Sequence, residues 1–145
     1  MGTRSTIAFI PKKEGKEEKP LVRIYQQFDG YIDGVGHDLA NFLKSRKICN
    51  GIPIGTDDIL ANGFGDLVAQ YIAETKEGTG NFYIDEFDCD QEYNYKVIFD
   101  TDKYYNNTEL YNGELKDVDD LITIKVNNMF EGTPSELLKF KESDE

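Results

Sequence analysis

Apolar positions early in the chain fall in strand-like runs, and only later at helical spacing. Residues 4–10, Arg-Ser-Thr-Ile-Ala-Phe-Ile, read as a first strand. Residues 21–28 read as a second, with Val22, Ile24 and Phe28 on one face and Arg23, Tyr25 and Gln27 on the other. The charged stretch from Pro11 to Pro20 reads as a solvated hairpin loop, so the two strands are predicted to pair antiparallel. The period then changes. Val35, Leu39, Phe42 and Leu43 form one helical stripe, with Lys44, Arg46 and Lys47 at the end that favours cations and Asn50-Gly51 as a stop. After a loop over 51–61, a second helix begins near Gly63 and Asp66. It carries Phe64, Leu67, Val68, Tyr71 and Ile72 and ends at Gly78 and Gly80.

Alternation returns from Asn81 to Phe87. This run is predicted to pair as a hairpin with Glu92 to Phe99 across an acidic turn of Asp88, Cys89, Asp90 and Gln91. Tyr93, Tyr95, Val97 and Phe99 share a face of the latter strand. Residues 100–119 are polar, with Asn112-Gly113 as a turn and a short edge strand at Glu109 to Tyr111. Leu121 to Val126 is a strand with Ile122, Ile124 and Val126 on one face. Thr133, Pro134 and Glu136 spell a capping box for a short final helix to about Lys141, followed by an acidic tail. The helices come as a pair between strands rather than alternating with them. That order predicts one α+β domain over residues 1–145: a single layer of antiparallel or mixed sheet of about five strands, two helices packed on one face, and a short C-terminal helix.

A net charge of −12 argues against direct binding of nucleic acid. The charge is unevenly placed: residues 1–50 hold nine basic and six acidic residues, residues 51–145 seven basic and twenty-two acidic. No apolar run is long enough for a bilayer, and the N-terminus lacks a signal-peptide core. Cys49 and Cys89 lack metal-ligand spacing and read as reduced cytosolic thiols. The myristoylation-like start Met1-Gly2-Thr3-Arg4-Ser5-Thr6 runs straight into a strand. The sequon Asn106-Asn107-Thr108 matters only in a secreted protein. The expected setting is cytoplasmic, with no membrane and no cofactor.

Asp29-Gly30-Tyr31-Ile32-Asp33-Gly34-Val35-Gly36 fills the strand-to-helix junction with three glycines, two aspartates and a tyrosine. It reads either as a shaped turn with Asp33 capping the helix, or as a contact for a nucleotide-like ligand helped by Arg4, Arg23 and Tyr25. The spacing is neither a Walker loop nor GxGxxG. His37, the only histidine, stands four residues from Asp33. Asp29, Asp33 and His37 are the candidates for a metal-assisted hydrolase, though no nucleophile completes a set. Asp88-x-Asp90-x-Glu92 opens like an EF-hand loop but lacks its glycine and terminal glutamate. Asp85, Glu86, Asp88, Asp90 and Glu92, with Asp117, Asp119 and Asp120, read as either a solubilising surface or an acidic face for a basic partner. The aromatics Phe82 or Tyr83, Tyr93, Tyr95 and Phe99 read as core, or as a platform where exposed.

Several blocks together resemble a group of small uncharacterised proteins of bacteriophages, prophages and some bacteria. They are the GTRS-like start, Ile24-Tyr25-Gln26-Gln27-Phe28-Asp29-Gly30-Tyr31, Gly34-Val35-Gly36, Asn62-Gly63-Phe64-Gly65, Glu92-Tyr93-Asn94-Tyr95, and Phe130 to Leu138. The charged loop at 11–20 and the polar segment at 100–119 depart from the pattern. The resemblance implies a phage-type accessory protein and carries no catalytic motif. It leads to three expectations: a non-enzymatic binder that antagonises a basic host defence protein such as a nuclease, a protein that sequesters a nucleotide-derived signal, or a metal-assisted hydrolase.

Overall fold

In a computed structural model that describes residues 2–51, 55–106 and 114–142, the chain is α+β with a mixed sheet. β1 (Ser5–Lys13), β2 (Lys16–Glu17) and β3 (Val22–Gln26) come first. A π-helical turn, Ile32–Gly36, runs into α1 (His37–Lys44), followed by β4 (Lys47–Ile48), β5 (Leu60–Ala61) and α2 (Phe64–Thr75). Then follow β6 (Phe82–Ile84), β7 (Tyr93–Asp100), α3 (Thr101–Tyr105), β8 (Lys116–Asp117), β9 (Ile122–Val126), β10 (Phe130–Gly132) and α4 (Pro134–Lys139). The seven-stranded sheet has the order β10-β9-β7-β1-β3-β6, with β2 paired to β1, and β5-β4-β8 form a small second sheet.

β1 and β3 pair antiparallel as the alternation requires. The expected loop at 11–20 is largely strand: β1 continues through Lys13 and turns back into β2. Glu14 and Gly15 both take positive φ, 52° and 77°, the two-residue turn that matches strand twist. This extension and β10 raise the strand count above the expected five. Phe28, expected to share the buried face of Ile24, is 50% exposed beyond the end of β3, and Gln26 takes its place facing the core.

The larger correction concerns β6 and β7. They are not a hairpin. β6 pairs with β3 at the sheet edge, while β7 is central, parallel to β1 and antiparallel to β9. Two strands separate them, a gap of about 14 Å that a tight turn cannot bridge. The run Val97-Ile98-Phe99 is buried on both faces, as befits a central strand, while Tyr83 and Ile84 at the edge are exposed.

Helices cover one face. Ile7, Phe9, Ile24, Tyr95, Val97, Phe99, Ile122 and Ile124 pack there against Leu39 and Leu43 of α1, Phe64 and Leu67 of α2, and Leu137 of α4. Phe64 stacks on Phe99 at 4.7 Å, and Phe9 meets Tyr71 at 5.5 Å. On the other face, among the described residues, a small buried apolar cluster is formed by Ala8, Ile10 and Ile98. Glu17 at the β1–β2 tip reaches over that face to Lys96 and Lys125, at 3.4 Å each. The capping box is realised: Thr133 Oγ1 accepts from the Glu136 amide at 3.1 Å, and Glu136 accepts from the Thr133 amide at 3.0 Å. Residues 107–113, with the last two positions of the expected sequon, the edge strand and the turn, and residues 143–145 of the tail lie outside the described residues. Among the described residues no helix is long and apolar enough to cross a membrane.

Candidate functional site

The strand-to-helix junction is closed upon itself. Asp29 takes φ 60°, and its carbonyl accepts from the Val35 amide at 2.8 Å. The Gly30 amide donates to Thr3 and the Gly34 amide to Tyr31. A Cβ on Gly34 would collide with the Asp29 carbonyl oxygen, and one on Gly36 would stand 3.1 Å from the Tyr95 hydroxyl. That hydroxyl donates to the Gly30 carbonyl at 2.7 Å, and burial pushes its pKa up, so it stays protonated. The glycines here serve close packing. Asp33 does not cap the helix. It is exposed and accepts no amide hydrogen bond at the helix start. The anion at this helix end is Glu142: its Oε1 accepts from the Ile32 amide at 2.9 Å and its Oε2 from the Tyr93 hydroxyl at 2.7 Å. That bond, with burial, pushes the Tyr93 pKa up to about 12. His37 Nε2 faces the Phe140 carbonyl at 3.1 Å, and its Nδ1 lies 3.9 Å from Asp33. Among the described residues no group of three or more His, Cys, Asp or Glu side chains is placed to hold a metal ion.

The eight expected ligand residues do not converge. Asp29, Tyr31, Asp33, Gly34 and Gly36 belong to the junction that leads into α1, on the helical side of the sheet. Arg23 and Tyr25 alternate with the core-facing Ile24 and project from the open face. Arg4 is exposed just before β1. Nor is Arg23 available to a phosphate. Its Nε lies 3.1 Å from Asp85, Nη1 donates to Asp88 at 2.7 Å, and Nη2 donates to Asp90 at 3.0 Å. The basic residues at the end of α1 and just beyond it are engaged as well. Lys44 donates to Asp117 and Asp119 at 2.7 and 2.9 Å, Lys47 to Asp117, and the buried Arg46 to Gln70, Ser45 and Glu74.

Arg23 explains where the acidic segment lies. Because β6 and β7 run in the same direction, residues 85–92 must return along the sheet between them. They return across the open face, and Arg23 projects from that face into them. The side chain of Asp85 is only 5% exposed, whereas those of Asp88 and Asp90 are 89% and 80% exposed, each with one oxygen on Arg23. Asn94 fixes the far end, accepting from the Gln91 amide and donating to its carbonyl. Glu86 and Glu92 are exposed.

No family model, no curated protein and no solved structure matches the chain.

The expected acidic face is divided. Asp117, Asp119 and Asp120 lie beside the C-terminal end of β7, where the Asp100 amide donates to the Leu121 carbonyl. The 85–92 segment enters the opposite end of that strand, about 25 Å away. Asp117 and Asp119 of the distant group are tied into the fold, whereas Asp120 beside them is exposed. Asp119 accepts from the Ser135 amide at the start of α4 and from its hydroxyl, and shares Lys44 with Asp117. Burial opposes the charge on both carboxylates, yet these bonds hold both pKa values below the usual range. A serine, a lysine and an aspartate thus meet here without a free base: Lys44 is likewise held above its ordinary value, its carboxylate bonds outweighing burial.

The aromatic alternatives resolve by strand parity. Phe82, Tyr95 and Phe99 are core, while Tyr83 pairs with Tyr25 on the open face, ring centroids 5.9 Å apart. Beside them, Gln27, Ile84, Asp85, Glu86 and Phe87 complete a cleft of about 270 Å³. Phe87 is 80% exposed. Its position in the sequence, an apolar residue amid Asp85, Glu86 and Asp88, was the signal that could have marked it.

Proposed function

We propose that this chain is a non-enzymatic, cytoplasmic, phage-type accessory protein that antagonises a host defence system. It does so by docking the acidic segment 85–92 on a basic, nucleic-acid-binding protein such as a defence nuclease. The observation that carries the reading is the presentation of that segment: five carboxylates within eight residues, pinned over the open face by one arginine. A surface so held does not have to be ordered on binding, and its charge accelerates encounter with a basic partner. The phage origin comes from the sequence resemblance. A second reading, sequestration of a nucleotide-derived signal, finds less support, because Arg23 and the junction amides are already engaged.

Phage plating tests the proposal. The chain is expressed in bacterial strains that carry different nuclease-based defences, which are then challenged with a phage that each defence restricts. In at least one strain the wild-type chain is expected to restore plating, and the double variant Glu86→Lys, Glu92→Lys is not. Equal rescue by the variant would contradict the docking surface, and no rescue in any strain would contradict the anti-defence role.

A further inference from the structure

We propose that the cleft of Tyr25, Tyr83 and Phe87 receives an arginine side chain of the protein partner. This rests on reading the 85–92 segment as the docking surface and names what that surface grips. The cleft lies where the segment leaves β6, between the paired tyrosine rings and Phe87. Aromatic ring faces attract cations, and a planar guanidinium can stack on them while its N–H groups reach a carboxylate. Glu86, which is exposed, lines the cleft and offers its carboxylate, while the nearly buried Asp85 beside it is held by Arg23; no Lys or Arg is among the lining residues. The chain uses the same chemistry internally. Lys76 Nζ sits 5.6 Å from the Tyr83 ring centroid while donating to the Gly80 and Phe82 carbonyls, and Arg46 lies 4.3 Å over Phe42. Tyr83 therefore already carries one cation, from a residue outside the cleft.

Other occupants fit less well. A phosphate-bearing ligand would meet the Glu86 carboxylate, and the nearby cations are already engaged, Arg23 with Asp85, Asp88 and Asp90 and Lys76 with two backbone carbonyls. A strand added to the β6 edge would find only three residues, with the Phe82 carbonyl already taken by Lys76. An arginine satisfies both the rings and the charge.

Two peptides of equal length and charge, one built on arginine and one on lysine, are titrated into the full chain at low salt, with amide NMR shifts as the readout. The arginine peptide is expected to bind more tightly and to shift the resonances of Tyr25, Tyr83 and Phe87. Phe87→Ala and Tyr83→Ala, both at exposed positions, are each expected to weaken it roughly five- to thirty-fold, with circular dichroism unchanged. The proposal is overturned if wild type binds no arginine peptide, if the lysine peptide binds equally well, or if the two alanine variants bind like wild type. The last result, with binding still lost in Glu86→Lys, Glu92→Lys, would remove the cleft while leaving the acidic surface standing. Shifts at the cleft caused by adenine nucleotides and not by the peptide would also overturn it.

Discussion

Arg23 is the residue on which the candidate site turns. Read from strand parity alone, it is a lone cation on the solvent side of β3, as suited to a phosphate as to a carboxylate. Its partners come from 62 to 67 residues further along the chain, Asp85 to Asp90, and no local pattern announces them. The acidic segment and the arginine therefore read as parts of two sites, when they form one. Removing the guanidinium leaves Asp85 nearly buried and uncompensated. Arg23→Met is expected to cost about 3 kcal/mol in urea denaturation and to speed amide exchange across residues 85–92 relative to the rest of the sheet. Unchanged stability and exchange would mean that the arginine does not hold the segment.

At the scale of elements, legibility followed the range of the interaction. The α4 start was readable because Thr133, Pro134 and Glu136 complete their hydrogen bonds within one turn. Both long helices were readable from their stripes. The partners of β6 and β7 were not, because alternation identifies a strand without naming its neighbour, and β7 lies beside a strand 88 residues earlier. The burial of Val97, Ile98 and Phe99 in succession was the available hint that β7 is central. The tie between α1, β8 and α4 is likewise long-range: Lys44 at the end of α1 meets Asp117 at the end of β8 and Asp119, which holds Ser135 of α4. Its pH dependence follows from the directions of the shifts. Carboxylates held low stabilise the fold above their ordinary range, and that contribution is lost as pH falls through their lowered values. A lysine held high loses its contribution only as pH rises above its ordinary range. Lys44→Met is expected to lower stability near neutrality by about 1–3 kcal/mol. The gap from wild type is expected to close below about pH 4. Urea midpoints measured across that range check this, and parallel curves would contradict it.

For the whole molecule, the arrangement separates a packed side from a presenting side. All the large apolar packing lies beneath the helices, and the open face carries the acidic crossover, the tyrosine pair and the lysines that hold the β1–β2 tip. The strong acidic bias of residues 51–145 was visible in composition. Its division into a structural group around Lys44 and an exposed group over Arg23 depended on the sheet order. Asp117 and Asp119 are committed to Lys44, whereas Glu86 and Glu92 of the 85–92 segment are exposed and carry the docking proposal. The most direct test is affinity capture from a lysate of a strain in which the chain restores plating, run side by side with Glu86→Lys, Glu92→Lys and identified by mass spectrometry. The expected result is a basic nucleic-acid-binding protein held by the wild-type chain at low salt, released as the ionic strength rises, and absent with the variant. Capture of the same partner by both forms, with no dependence on salt, would contradict the docking surface.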